Sequence, residues 1–220
     1  MDSLRARRLS LSVKASGEVR LTIPRSVARR DAFQFLEDKT DWLESAKKRV
    51  AKRNTSQIIG MPYSTREHIL SLKPSSVNAI RASVKDGVIT VAYPLQMRWD
   101  EPQVQEAIKR GIEEAWRVEA KEFLPERTEA LCRQLGFKCG KITVRNARTR
   151  WGSCSPSNDI SLSLHLMKLP DNLIDYIITH ELCHTVHKNH GPKFHALLDQ
   201  KTGGTHISLR RQLKQYTAGF

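Results

Sequence analysis

The segment 170–192 constrains the fold of this chain more than any other part of the sequence. Pro170 and Asp171 are typical of a helix start, and the apolar residues that follow recur at helical spacing. These apolar residues are Leu173, Ile174, Ile177 and Ile178. The same helix would carry His180-Glu181-Leu182-Cys183-His184, whose two histidines are one turn apart and therefore share a face. We expect this helix to pack on the core along one side and to present the two histidines to a cleft.

Two imidazoles one helical turn apart can bind the same metal ion, and Zn²⁺ accepts imidazole nitrogen readily. A catalytic zinc site uses three protein ligands and leaves the fourth position to water. Glu181 follows the first histidine and could take a proton from that water as a general base. The sequence therefore predicts a zinc hydrolase with His180 and His184 as ligands and Glu181 as the catalytic residue.

Three histidines downstream, at positions 187, 190 and 195, could supply the third ligand. An unbroken helix would carry His187 to the flank of the site. His190 follows Asn189, which tolerates the left-handed conformation, and precedes Gly191-Pro192, which can start another helix. A chain reversal there would aim His190 back at the metal. We predict His190 as the third ligand and keep His187 and His195 as alternatives that could also contact substrate.

The spacing of these histidines also matches the metzincin pattern H-E-x-x-H-x-x-G-x-x-H. Two features argue against that family. His187 occupies the position that requires glycine, and the last methionine, Met167, precedes the motif, so no methionine is present to form the Met-turn.

The first half of the chain is predicted to be rich in strands. Two pairs of alternating segments flank turn signals and so predict β-hairpins: 8–16 with 19–23 around Ser16-Gly17-Glu18, and 79–84 with 88–93 around Asp86-Gly87. One helix over 26–51 is expected between the hairpins, and 54–76 is expected to be a loop with a short strand.

The second half is predicted to be mainly helical. A long helix begins near Glu101, should be kinked or split at Pro125, and should end at Gly136. Strands are expected over 141–144 and 160–164, a polar turn over 151–155, and further helices after Pro192 and over 207–216. The fold class is therefore α+β, with a β-rich N-terminal region (1–98) and a metallohydrolase domain (99–220).

The formal net charge of +14 is concentrated towards the N-terminus, with about half of the excess in residues 1–53. Such a field favours anionic partners, including nucleotides, nucleic acid and acidic peptide. It is also compatible with a solvated basic surface that only aids solubility. Charge by itself therefore does not identify a ligand.

No apolar run approaches the length of a membrane span, and no apolar stretch follows the basic N-terminus as in a secretory signal. We therefore expect a cytoplasmic protein without membrane contact. The four cysteines form no C-x-x-C pair, so we expect small, buried, reduced side chains rather than a disulfide framework.

Several motifs occur together in a characteristic order. They are Arg150-Trp151-Gly152-Ser153-Cys154-Ser155, Ile160-Ser161-Leu162, Ile174-Asp175-Tyr176-Ile177, the H-E-L-C-H motif, Asn189-His190-Gly191 and Phe194. The N-terminal RRLSLSVKASGEVRLTIPRSV and the later Asp41-Trp42-Leu43 precede them. This chain resembles the YgjP-like metallohydrolases, which are relatives of the SprT-like and WLM zinc peptidases.

The resemblance implies a zincin-like fold, in which the active-site helix packs on a small sheet. It also implies that His190 is the third zinc ligand. In that family the third histidine is usually followed by Ser and then by Phe-Trp. Here Gly191 replaces the Ser, as in the SprT-like His-Gly pattern, and His195 replaces the Trp.

The W-G-S-C-S segment precedes the strand that should border the cleft. An edge strand there could pair with an extended peptide substrate. Alternatively, Arg150, Ser153 and Ser155 could hold an anionic group, or the segment could be a structural turn in which Trp151 fills the core.

Three functions remain open at this point. The first and favoured one is a zinc peptidase, in which Glu181 activates zinc-bound water and His187, His195 or Arg150 stabilises the oxyanion. The second is a metal-dependent hydrolase of a nucleoside triphosphate such as UTP, which the resemblance also permits. The third is a nucleic-acid-associated protein with a structural zinc, or a SprT-like protease recruited to DNA. The intact Glu181 argues against a purely structural zinc.

Overall fold

The computed structural model describes residues 2–3, 8–13, 18–24, 26–55 and 58–219. The chain divides into two compact units, 1–58 and 59–220. The boundary expected from the sequence, between residues 98 and 99, lies inside the second unit. Within the described residues, no helix is both long enough and apolar enough to cross a membrane.

The first unit combines a small sheet with two helices. Its strands are β1 (Asp2–Ser3), β2 (Ser10–Val13) and β3 (Val19–Pro24), with β3 in the centre, parallel to β1 and antiparallel to β2. The β2–β3 pairing confirms the first predicted hairpin, whose turn over 14–17 lies outside the described residues.

The single helix predicted over 26–51 is wrong, because the structure contains α1 (Arg29–Asp38) and α2 (Thr40–Thr55). The break is at Lys39. The Thr40 hydroxyl donates to the Glu37 carbonyl at 2.8 Å and so satisfies a backbone oxygen at the end of α1. The Lys39 carbonyl accepts from Leu43 N at 2.8 Å within the first turn of α2.

The second unit begins with a three-stranded sheet, β4 (Ile69–Ser75), β5 (Arg81–Lys85) and β6 (Val88–Pro94), in the order β4-β6-β5. Asp86 and Gly87 both have positive φ, 51° and 73°, as a two-residue hairpin turn requires. This confirms the second predicted hairpin. Alternate residues of β6 (Ile89, Val91 and Tyr93) are buried, and the sheet packs on the long helix that follows.

That helix, α3 (Pro102–Leu135), continues through Pro125, so of the two outcomes expected there, a kink or a split, the split does not occur. Proline removes one backbone donor, but buried side chains anchor the helix on both sides of it. Leu124 and Leu131 are both in the core, and the Thr128 hydroxyl donates to the Leu124 carbonyl at 2.7 Å. Gly136, with φ of 73°, ends the helix as predicted.

A second small sheet follows, made of β7 (Ile142–Arg145), β8 (Gly152–Cys154) and β9 (Ile160–Ser163). The order is β7-β9-β8, so β8 is an edge strand, paired antiparallel to β9. The prediction of a polar turn over 151–155 is therefore wrong for residues 152–154, which form β8. Backbone pairing of Gly152 with Leu162 and of Cys154 with Ile160 makes this short segment a strand, although it lacks the usual apolar alternation.

Three helices complete the unit: α4 (Asp171–Cys183), α5 (Pro192–Lys201) and α6 (His206–Leu213). Helix α4 packs against β8 and β9 on the sheet side and against α3, α5 and α6 elsewhere. The α+β class and the packing of the motif-bearing helix on a small sheet are thus confirmed.

Candidate metal centre

Three histidine side chains converge at the end of α4. His190 Nε2 lies 3.1 Å from His180 Nε2 and 3.2 Å from His184 Nε2. Within the described part of the chain, these three form the group of His, Cys, Asp and Glu side chains whose ligand atoms come close enough to hold one ion. The structure therefore brings the three predicted ligands together.

The local chain path explains this convergence. His180 is in the last turn of α4, and His184 caps that helix. The chain then turns tightly, with His187 N donating to the Cys183 carbonyl at 2.9 Å and Gly191 N donating to the Asn189 carbonyl at 2.8 Å. Helix α5 starts at Pro192, so His190 is held in the turn between the two helices. Because α4 ends at Cys183, His187 does not continue along that helix.

The tautomer of His184 suits metal binding. Its Nδ1 lies 3.0 Å from the His187 carbonyl, an acceptor that requires Nδ1 to carry the proton. The lone pair of the neutral ring is then on Nε2, which faces the other two imidazoles. A backbone carbonyl in this position is a common outer partner of metal-ligating histidines. His187 thus contributes its backbone to the site.

The nitrogen spacing fits a single zinc ion. Zn–N bonds of roughly 2.0–2.1 Å in tetrahedral geometry place ligand nitrogens about 3.3–3.4 Å apart. The separations of 3.1 and 3.2 Å in the structure differ from this by only a few tenths of an ångström. Burial and the neighbouring imidazoles lower the pKa of His180 to about 4, and burial lowers the pKa of His184. Both rings are therefore neutral near pH 7, which is the form that binds metal.

Phe194 supports all three rings from one side. Its ring centroid lies 5.0 Å from His180, 4.5 Å from His184 and 4.8 Å from His190, and it is stacked on His184. The side chain is completely buried. It therefore forms a rigid apolar wall for the histidines, a role that no local pattern in the sequence indicated.

Glu181 lies beside this group and is largely buried, with 7% of its surface exposed. Burial raises its pKa to about 7, and the positive charge of Arg150 partly opposes that rise. A carboxyl group in this range can accept and release a proton near neutral pH. The buried position arises because α4 packs against β8, the edge strand of the second sheet.

Gly152 on β8 is in close contact with Glu181. A Cβ atom on Gly152 would lie 2.7 Å from Glu181 Cγ and 2.9 Å from its Oε1, closer than side-chain atoms can approach. Only glycine leaves this space free. Gly152 belongs to a motif in the sequence, but no local pattern indicates its role, because the contact joins residues far apart in the chain.

The two serines near the site differ in their surroundings. Ser153 pairs with Ser161 in the β8–β9 ladder. The Ser155 hydroxyl bonds Ser157 Oγ at 2.8 Å and accepts from Asp159 N at 2.9 Å, so it stabilises its own loop. Lys188 Nζ donates to the Ser155 carbonyl at 2.9 Å and ties this loop to the turn after α4. Ser155 is thus engaged in structural hydrogen bonds.

His195 is exposed on the first turn of α5, with its ring centroid 6.4 Å from that of His190. Its ring also lies 5.5 Å from that of Phe194 and is stacked on that of His206 at 6.2 Å. His206 is in turn fixed by Asp199, with Nδ1 and Oδ1 2.7 Å apart. His195 therefore lies at the rim of the metal centre, on a support built by α5 and α6.

A helix with two histidines and an acid, completed by a third histidine after a turn, defines a candidate mononuclear metallohydrolase centre. The chain belongs to the family described as YgjP-like, metallopeptidase domain, whose model matches residues 7–216. The resemblance inferred from the motifs is therefore confirmed, and the family supports a metallohydrolase.

Among solved structures, the chain is similar to the metallopeptidase zymogen jannalysin of Methanocaldococcus jannaschii, with 21% identity and a TM-score of 0.39. That similarity covers 43% of this chain and 96% of jannalysin. The zymogen of Pyrococcus abyssi abylysin shows 19% identity and a TM-score of 0.38, over 42% of this chain and 94% of abylysin. No curated protein sequence matches the chain.

Proposed function

We propose that this protein is a zinc-dependent peptidase with His180, His184 and His190 as ligands and Glu181 as the general base. The observation that carries the proposal is the convergence of three Nε2 atoms, at 3.1 and 3.2 Å, beside a buried carboxyl group. Membership of a metallopeptidase-domain family supports the same reaction class.

A Zn²⁺ ion held by three imidazoles supplies Lewis acidity, which polarises a substrate carbonyl and makes a nearby water more acidic. Glu181 then transfers a proton from the attacking water to the leaving amine. Its raised pKa of about 7 lets it take one from the attacking water and return it to the leaving amine. Burial of the carboxyl also keeps bulk water from competing for that proton.

The edge strand β8 supports a peptide substrate. Among the strands that the structure describes, it is paired only with β9, and it packs on α4 beside Glu181. An extended peptide could add to its other side through backbone hydrogen bonds, with the scissile bond near Glu181. Gly152 lets the Glu181 carboxyl group lie directly against this strand, because any side chain on that face would meet the acid.

Of the three predicted candidates for stabilising the oxyanion, His187 contacts the site through its backbone carbonyl, which leaves the side chains of Arg150 and His195. Arg150 is exposed and close enough to Glu181 to oppose the rise in its pKa. His195 lies at the rim beside His190. We favour His195, because its support on His206 restricts its ring, whereas Arg150 is a long exposed side chain. Replacement of His195 by Gln, which keeps a donor, should lower kcat less than replacement by Ala.

The proposal is tested with purified, zinc-loaded protein incubated separately with casein and with UTP. Cleavage of casein that is lost in Glu181→Gln, with zinc content unchanged, is the expected result. Phosphate or pyrophosphate release from UTP without proteolysis, lost in the same variant, would establish the nucleotide hydrolase instead. Arg150 beside the acid and the net charge of +14 are the features that would favour such a polyanion.

A further inference from the structure

Two of the four cysteines meet at the end of α3. Cys132 is in the last turn of that helix and Cys139 lies just beyond its glycine cap, and their Sγ atoms are 2.9 Å apart. The sequence contains no C-x-x-C motif, and we expected buried, reduced thiols; both are free thiols in the structure, which in addition brings them into contact. This contact lies outside the residues assigned to the metal centre.

Several contacts hold the chain segment that brings the two sulfur atoms together. Gly136 adopts φ of 73° and reverses the chain, while Phe137 N donates to the Cys132 carbonyl at 2.9 Å. From α5, Lys201 Nζ donates to the Leu135 carbonyl at 2.7 Å and lies 5.3 Å above the Phe137 ring. The loop that carries Cys139 is therefore anchored to α5 as well as to α3.

The two thiols differ in reactivity. Cys132 is buried, which raises its pKa to about 12, and its hydrogen-bond partner Cys139 contributes to that rise. Cys139 is only partly buried and can meet a small reagent from solvent. The thiolate is the nucleophile in disulfide exchange, so the more accessible sulfur should react first and the buried one should resolve the product.

We propose that Cys132 and Cys139 form a redox-active dithiol that closes to an intramolecular disulfide with small-molecule disulfides such as oxidised glutathione. The Cys139 thiolate attacks one glutathione sulfur, forms a mixed disulfide and releases one glutathione thiolate. The Cys132 thiol then loses its proton, attacks the Cys139 sulfur and releases the second glutathione. Two protein thiols are oxidised by two electrons, and one glutathione disulfide is reduced to two thiols.

The bond would join the end of α3 to the residue that leads into β7. It would constrain a loop of six residues between the two cysteines. Cross-links of this kind stabilise a fold mainly by restricting its unfolded chain. The oxidised protein should therefore melt at a higher temperature than the reduced one. The two remaining cysteines serve as internal controls, since Cys183 is buried in α4 and Cys154 lies on β8, and neither has a sulfur partner.

The test equilibrates the purified chain with glutathione buffers of defined oxidised-to-reduced ratio and traps free thiols with N-ethylmaleimide before trypsin digestion. Trypsin should separate the two cysteines into peptides 128–133 (TEALCR) and 139–141 (CGK). Mass spectrometry then detects these two peptides joined by a disulfide, and Cys139→Ser provides the variant in which no such species can form. The same equilibration in denaturing guanidinium measures the pairing tendency of the unfolded chain.

We expect the linked peptides in the native protein, with an equilibrium constant at least roughly tenfold above that of the unfolded chain, a difference of about 30 mV. The linked species should persist in Cys154→Ser. Complete N-ethylmaleimide labelling of both cysteines across all buffers would overturn the proposal. Stable glutathionylation of Cys139 without closure, or a linked species no more stable in the native protein than in guanidinium, would overturn it as well.

Discussion

Gly152 of strand β8 and Glu181 of helix α4 are in such close contact that a methyl group on the glycine would lie 2.7 Å from Glu181 Cγ. The contact joins the edge strand to the acid of the H-E-x-x-H motif. The Glu181 side chain therefore lies directly against the backbone of the strand, in the space that a side chain at position 152 would need. The same contact limits the positions that the Glu181 carboxyl group can adopt.

Gly152→Ala should displace the Glu181 side chain and lower hydrolytic activity by about 100-fold, the scale on which a positioned acid or base contributes. Zinc content should remain at the wild-type level, because the three histidines are untouched. Gly60→Ala is the matched control, since among the described residues a Cβ there would meet only Trp99, at 3.7 Å and 3.9 Å. If Gly152→Ala acts through Glu181, it should cost little further activity in a Glu181→Gln background. Additive losses in that double variant would contradict the proposed link.

Metal content should show which of His190 and His187 is the third zinc ligand. His190→Ala removes a nitrogen that lies within 3.2 Å of both partner imidazoles, so stoichiometric zinc should be lost on dialysis against a weak chelator. His187→Ala keeps the backbone carbonyl that accepts from His184, and zinc should be retained. Metal analysis of both dialysed variants is the measurement. Zinc retained in His190→Ala and lost in His187→Ala would reverse the ligand assignment.

Asp175→Asn should weaken the attachment of α4 to α3. Arg127 of α3 makes a two-pronged ion pair with Asp175, with Nε–Oδ1 of 2.7 Å and Nη2–Oδ2 of 2.5 Å, in a part-buried position. Its loss should reduce the free energy of unfolding by about 1–2 kcal/mol, as measured by denaturant titration. Glu114→Gln, which removes the exposed pair with Arg117, is the control and should change stability by less than about 0.5 kcal/mol. Equal effects of the two substitutions would show that the Arg127 pair has no special role.

His165 should make stability depend on pH below neutrality. Its ring is fully buried, with Nε2 2.9 Å from Asn146 Oδ1 and an edge-on contact with Trp116. Burial, followed by the positive charges of Lys168 and Arg148, lowers its pKa from 6.5 to about 4. The folded state therefore binds this proton less readily than the unfolded state. The contribution of His165 is complete above pH 6.5 and is lost as the pH falls towards 4.

The loss attributable to His165 is about 3 kcal/mol over that interval, from about 1.4 kcal/mol per pH unit. Denaturant unfolding at pH 7, 5.5 and 4.5 measures it, with His165→Gln as the comparison, since Gln can still donate to Asn146. The variant should show a shallower fall in stability with acidification than the wild type. Parallel curves for the two proteins would assign the pH dependence to other groups.

Much of the site followed from local sequence. The spacing of His180 and His184 places both on one helix face whatever the rest of the fold, and Asn189 and Gly191-Pro192 indicated the turn that returns His190. The Asp86-Gly87 hairpin could be predicted in the same way. Its turn requires two positive φ angles, and whether a residue adopts a positive φ depends mainly on that residue. These features depend on neighbours within a few positions along the chain.

Other features depended on tertiary packing and could not be predicted from the sequence. Pro125 did not split α3, because buried side chains on both sides of it hold the helix against the core. Residues 152–154 became an edge strand only through pairing with β9, and their composition resembles a turn.

The sequence by itself indicated the chemistry of the candidate metal centre: which residues could bind zinc, which could move a proton, and that a single helix brings His180, Glu181 and His184 together. Only the tertiary structure decided what surrounds that chemistry, including the glycine against Glu181, the phenylalanine beneath the histidines and the meeting of Cys132 with Cys139. The physical reason is the separation along the chain between the residues that are in contact. Helical periodicity and turn conformations arise from contacts a few residues apart, whereas close packing between β8, α4 and α5 arises only when the whole second unit is assembled.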